Sequence, residues 1–106
     1  MEKPKNRLEV CLSPAIYSKH ADDNNIVVIA DILRATSSIC AAIHNGVKGL
    51  IPVATVDEAR EMKQRGYLVA SERDGYVLDF ADFGNSPFNF TPEIVHGREI
   101  AYSTTN

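Results

Sequence analysis

The side chains best equipped for chemistry in this sequence fall into a few short clusters. Asp31 closes an apolar run, Arg34 follows three residues later, and Thr36, Ser37 and Ser38 come directly after it. Glu72 and Arg73 close a second apolar run, Asn85 and Ser86 sit in a long polar and aromatic stretch, and Thr104, Thr105 and Asn106 follow a third run. An acid at the end of an apolar strand is costly unless it meets a metal, a cation or several donors. Arginine offers a planar fork suited to phosphate, and the start of a helix presents backbone N–H groups that attract anions. Two strand-end carboxylates could hold a hard cation such as magnesium, which takes one or two carboxylates together with water and phosphate oxygens. The chemistry these residue types describe is the handling of a small phosphorylated anion. The plainer reading of the first cluster is that Thr36 or Ser37 caps a helix and Arg34 lies on the surface.

Other chemistries are excluded by pattern. Neither Cys11 nor Cys40 has an arginine six residues on, no Asp-x-Asp pair ends a strand, and no glycine-rich lysine loop is present, so the usual phosphatase and kinase signatures are missing. The two cysteines form neither a C-x-x-C pair nor a zinc spacing, and both are expected as buried thiols. His20, His44 and His96 are expected in surface or capping roles. No serine, histidine and acid set can be assembled into a triad.

The elements that must position the clusters follow from periodicity. Apolar runs at 7–12, 26–32, 49–53, 67–71 and 99–102 predict five strands. Helical patterns predict helices over 34–45, 55–66 and 91–97, the second opening on the capping box Thr55-Val56-Asp57-Glu58. The alternation predicts an α/β fold: a layered, mostly parallel sheet flanked by helices. The continuous run at 26–32 reads as a central strand covered on both faces. The stretch 73–90 is longer than ordinary connections and is expected to be functional or covered by a partner. In such folds ligands bind beyond the carboxyl ends of the strands, which is where Asp31, Arg34, Glu72, Arg73 and Thr104 to Asn106 all fall.

The 106 residues are 44% apolar and 24% charged, the balance of one small folded domain. A net charge of -3 from scattered residues gives no footprint for nucleic acid or an anionic membrane. No run approaches the roughly 18 apolar residues of a membrane span, and the opening Met1-Glu2-Lys3-Pro4-Lys5-Asn6 lacks the apolar core of a secretion signal, so a cytoplasmic location is the default expectation.

Six motifs occur in order: Asp31-Ile-Leu-Arg-Ala-Thr36; Pro52-Val-Ala-Thr-Val56 with Glu58-Ala59; Ser71-Glu72-Arg73; Phe83-Gly-Asn-Ser-Pro87; Thr91-Pro92-Glu93; and Thr104-Thr105-Asn106. Together they resemble the 2-phosphosulfolactate phosphatase family across essentially the whole chain. Ser71 departs from the glycine of many members. The resemblance implies a magnesium-dependent hydrolysis of 2-phospho-3-sulfolactate to 3-sulfolactate and phosphate, a step of coenzyme M biosynthesis. It also implies a site in which Arg34 and the helix start at 35–38, with Thr36 and Ser37, take the phosphate. Arg73, Asn85, Ser86, Thr104, Thr105 and Asn106 would surround the phosphate or the sulfonate, and Asp31 and Glu72 would ligate the metal. Whether an acid attacks phosphorus or a metal-activated water does is left open by the residues. Two other readings remain: a phosphatase of the same family for another small acidic phosphoester, and a non-catalytic anion-binding module.

Because family members are considerably longer, the chain reads as the amino-terminal part of such an α/β domain, ending at the Thr104-Thr105-Asn106 loop. It is then expected to be incomplete as a catalyst on its own. Its exposed sheet and the aromatic residues Tyr76, Phe80, Phe83, Phe88 and Phe90 are expected to pack against the carboxyl-terminal half or a second copy in a homo-oligomer.

Overall fold

In a computed structural model that describes residues 6–32 and 34–105, the chain builds a four-stranded sheet between helical layers. Residues 1–5, most of the opening that bears on a secretion signal, lie outside the described residues, as do Leu33 and Asn106. The strands are β1 (Gly49–Pro52), β2 (Leu68–Arg73), β3 (Tyr76–Val77) and β4 (Glu99–Ser103), in the spatial order β1-β4-β2-β3. β4 lies parallel to both β1 and β2, and β3 is antiparallel to β2. Helices α1 (Ala35–His44), α2 (Val56–Gln64) and α3 (Pro92–Val95) stand in the expected places. The mostly parallel α/β layering anticipated from the alternation of elements is therefore present.

Strand periodicity divides the core into two layers, because successive side chains point to opposite faces. Leu50, Leu68, Ala70, Ile100 and Tyr102 meet α1 and α3 through Ala35, Ala42 and Val95, with Phe90 filling the space between. Ile51, Val69 and Ala101 meet Ala59 and Met62 of α2 on the other face. α2 starts at a complete capping box. Glu58 N–H donates to Thr55 Oγ1 at 3.1 Å, and Thr55 N–H donates to Glu58 Oε2 at 3.2 Å. α1 stops at Asn45 and Gly46, the latter at φ +82°, where an added Cβ would stand 2.5 Å from His96 Nδ1. Only glycine tolerates both the backbone angle and the approach.

Several expectations are corrected. The runs 7–12 and 26–32 form no strand, and Leu8, Leu12, Ile26, Val28 and Ile29 are exposed. A strand needs a ladder partner as well as apolar side chains, and neither run has one among the described residues. Cys11 and Cys40 are exposed rather than buried, the first because its run has no strand partner among the described residues, the second because it lies off the buried stripe of α1. The stretch 73–90 is not one long loop. Asp74 (φ +52°) and Gly75 (φ +83°) make a two-residue hairpin turn between β2 and β3, as Asp-Gly pairs do. Phe83 then bridges to Ala70, and Pro87–Asn89 forms a 3-10 turn. Of its aromatic residues, Phe83 and Phe90 pack edge to face at 5.1 Å in the core and Phe80 lies under Arg60, while Tyr76 and Phe88 are exposed.

Candidate functional site

Because β1, β2 and β4 run parallel, their carboxyl ends share one edge, and the polar residues that follow them meet there. The tip of the β2–β3 hairpin grips the segment after β4. Glu72 Oε1 accepts from Thr105 N–H (3.2 Å), Thr105 Oγ1 (3.1 Å) and Thr104 Oγ1 (3.3 Å), and Glu72 Oε2 accepts from Gly75 N–H (2.9 Å). Asp74 N–H donates to Thr105 Oγ1 at 3.1 Å. The Arg73 guanidinium reaches Ser103 Oγ (2.9 Å), the Glu72 carbonyl (2.9 Å) and the Ala54 carbonyl at the end of the β1–α2 connection (3.4 Å). Burial pushes the Glu72 carboxyl upward, but the backbone donors of Thr105 and Gly75 and the hydroxyls of Thr105 and Thr104 outweigh it and hold the group below the usual carboxylate range.

The second half of the edge is the entry to α1. Asp31 N–H donates to Thr36 Oγ1 (2.9 Å) and Thr36 N–H returns a bond to the Asp31 carbonyl (3.0 Å). Ser37 Oγ donates to the Ile32 carbonyl at 2.7 Å, and Ser38 Oγ lies within bonding distance of the carbonyls of Arg34 (2.8 Å) and Asn85. None of these hydroxyls caps the helix, and Arg34, at the N-cap position, makes no side-chain cap either. The plain capping reading of Thr36 and Ser37 is thus replaced by another role, in which the hydroxyls tie down the turn that carries Asp31 and Arg34. Arg34 itself is exposed, with its backbone at φ 149°, uncommon for a residue with a Cβ.

Tyr102 joins the two halves. It sits at the inner end of central β4, flanked by Pro52 and Ala70, and its hydroxyl donates to the Ala35 carbonyl at 3.3 Å. Its phenol is pushed above the usual range, chiefly by burial. A bond with the Ser38 hydroxyl opposes this, the Asp31 and Glu72 carboxylates add to it, and the Arg34 guanidinium opposes it. All three charged groups therefore act on one buried hydroxyl. Tyr102 was not singled out from the sequence, although an aromatic residue with a polar tip at the last inward position of an apolar run was a signal available to find it.

Asp31, Thr36, Thr104 and Thr105 line one open cleft of 1090 Å³, floored by Ala35, Pro52 and Tyr102. Glu72 and Arg73 border it through their bonds to 103–105. Asn85 is buried behind Ser38, and its side-chain Oδ1, like Ser71 Oγ, has no hydrogen-bond partner among the described residues. Ser86 is not drawn into the cluster; it stands at the N-cap of the 3-10 turn, its carbonyl accepting from Asn89 N–H at 3.0 Å. Asn106 lies outside the described residues.

Residues 11–106 match the family model described as 2-phosphosulpholactate phosphatase. The chain belongs to that family. It is 40% identical over 106 residues to a probable 2-phosphosulfolactate phosphatase of Clostridium perfringens, covering 94% of this chain and 43% of that protein. A probable 2-phosphosulfolactate phosphatase of Thermotoga maritima is 43% identical over 79 residues, 74% of this chain and 35% of its own length. One from Caldanaerobacter subterraneus is 41% identical over 96 residues, 87% of this chain and 39% of its own length. The chain thus spans less than half the length of these curated relatives.

The expected magnesium can be weighed against the donors of this phosphatase-family chain. Among the described residues no group of three or more His, Cys, Asp and Glu side chains gathers into a cage, but magnesium needs only one or two carboxylates beside water and phosphate oxygens. A carboxylate has about four lone-pair positions, and Glu72 already receives four hydrogen bonds. Oε1 takes three of these bonds and Oε2 one, so a metal at Glu72 would have to compete with the donors of 104–105 and Gly75. Asp31, which lines the cleft with Thr36, Thr104 and Thr105, is the carboxylate that would hold the metal there.

Proposed function

We propose that this chain forms the substrate-gripping part of a cytoplasmic, magnesium-dependent phosphatase that hydrolyses 2-phospho-3-sulfolactate to 3-sulfolactate and phosphate, a step of coenzyme M biosynthesis. The observation that carries the reading is the meeting of Asp31, Thr36, Thr104 and Thr105 in one cleft at the carboxyl edge of the sheet, in a chain of this family. The substrate bears phosphate, sulfonate and carboxylate, so its site must supply donors and positive charge from several directions. Arg34, beside the cleft, and the start of α1 would take the phosphate. Thr104 and Thr105 wall the cleft from the end of β4, with their hydroxyls donating to Glu72. Arg73 spends donors on Ser103, Glu72 and Ala54 and so frames this wall of the site.

Hydrolysis breaks the bond between phosphorus and the substrate's C2 oxygen, delivers the oxygen of a water molecule to phosphorus, and leaves a proton on the released alcohol. Magnesium, held through Asp31, would offset the negative charge that gathers on the phosphate oxygens. The remainder of the longer protein, or a second copy, would cover the exposed apolar runs and close the cleft against water.

The test is phosphate release by the full-length protein from a panel of small acidic phosphoesters, with magnesium and with chelator. The expected result is turnover of 2-phospho-3-sulfolactate above its analogues, lost with chelator. Preference for another phosphoester would move the substrate within the family, and turnover of none would leave an anion-binding module.

A further inference from the structure

From the four bonds that converge on one side chain, we infer that Glu72 is a positioning residue: its carboxylate fixes the Thr104–Thr105 segment at the end of β4 so that this segment keeps its place in the wall of the cleft. This role goes beyond the phosphatase reading and depends on it only where turnover is measured.

The segment after a parallel strand has no ladder of its own, so its orientation must come from a neighbour. The neighbour here is the β2–β3 hairpin. Its turn geometry, with both Asp74 and Gly75 at positive φ, aims the Gly75 N–H at Glu72 Oε2 and so fixes the carboxylate before it reaches across to β4. The carboxylate then takes the Thr105 N–H and both threonine hydroxyls on its other oxygen. The Asp74 N–H holds Thr105 Oγ1 from the second side, which leaves that hydroxyl's proton pointing at Glu72. The parallel register sets Ser71 opposite Ser103, so the residue that follows Ser71 is placed to meet the residues that follow Ser103. A carboxylate engaged by four donors in this way acts through the loop it holds, and its removal should loosen the loop without weakening metal binding.

The experiment uses the full-length protein and the variants Glu72→Gln, Glu72→Ala and Thr105→Val, the last removing only a hydroxyl. Amide hydrogen exchange across 103–105, measured without metal or substrate, should speed up roughly tenfold or more in Glu72→Ala while β2 and α2 keep their protection. The affinity for magnesium alone, by calorimetry, should change less than about twofold in Glu72→Gln, whereas kcat should fall roughly ten- to a hundredfold through a misplaced loop. Thr105→Val should reproduce part of that fall and add little to it in the double variant. Unchanged exchange at 103–105, or a tenfold weaker affinity for magnesium in Glu72→Gln, would overturn the inference. Should Glu72→Ala fail to fold, Glu72→Gln and Thr105→Val carry the same readouts. If no phosphoester is turned over, the phosphatase reading falls and the exchange measurement still decides the role of Glu72.

Discussion

Two stretches of this molecule end alike and fare differently. The run 26–32 carries Asp31 near its end with Arg34 soon after, and the run 68–73 ends in Glu72-Arg73; both are apolar for several residues before the acid. Yet Ile26 and Val28 are 94% and 85% exposed, while Val69 and Ala70 are fully buried. Hydrophobicity is equal to the task in both. What differs is company. β2 has β4 on one side, β3 on the other and α2 above it, whereas the earlier run has no ladder partner among the described residues. The same contrast extends to the acids. Glu72 is locked by hairpin and loop, and Asp31 is set by a short reciprocal exchange with Thr36.

The contrast predicts its largest difference in stability. Phe90→Ala, which empties the space between Phe83 and Tyr102, should cost ~3–5 kcal/mol. Val28→Ala in the same chain should stay within about 0.5 kcal/mol. Chemical denaturation of the two variants compares them directly, and similar losses would mean that the run 26–32 is packed after all.

A smaller effect should separate the two strand ends in function. Arg34→Lys keeps the charge but loses the planar fork, so kcat/KM of the full-length enzyme should fall roughly tenfold or more with unfolding little changed. Kinetics equal to the parent protein would make Arg34 a bystander and leave the phosphate to the Thr104–Thr105 side.

The cap of α2 sharpens the comparison from the well-packed side. Thr55→Ala breaks the capping box and should cost about 1 kcal/mol, read as a lower unfolding midpoint. No loss would show that Glu58, through its bonds to the backbone of Ala54 and Thr55, holds the helix start alone.

The mildest prediction concerns pH. The Glu72 carboxyl lies below its ordinary value of 4.5 in the folded chain. A lowered folded value binds protons less readily than the unfolded chain does, so the stabilisation is complete above about pH 4.5 and is lost as pH falls through the folded value. The difference in Tm between the parent protein and Glu72→Gln should therefore be constant near neutrality and shrink as pH falls below about 4.5. A gap that persists at low pH would assign the difference to shape and not to charge.

What could be read from the residues alone was local. Helical period and the Thr55 capping box place α2 because each contact joins residues three or four apart, and α1 ends at Asn45-Gly46 because a left-handed stop needs no distant partner. The hairpin at Asp74-Gly75 was legible by the same rule, yet was passed over inside an expected long loop. The polar types at the strand ends likewise announced an anion site, since their chemistry belongs to the side chains themselves. Which apolar runs become strands was not legible, because pairing depends on a neighbour far away in sequence; the runs 26–32 and 68–73 differ in that alone. Nor was the work of Glu72. Its carboxylate could have served a metal, a cation or a set of donors, and the choice was made only when β4 came to lie beside β2 and brought Thr104 and Thr105 within reach.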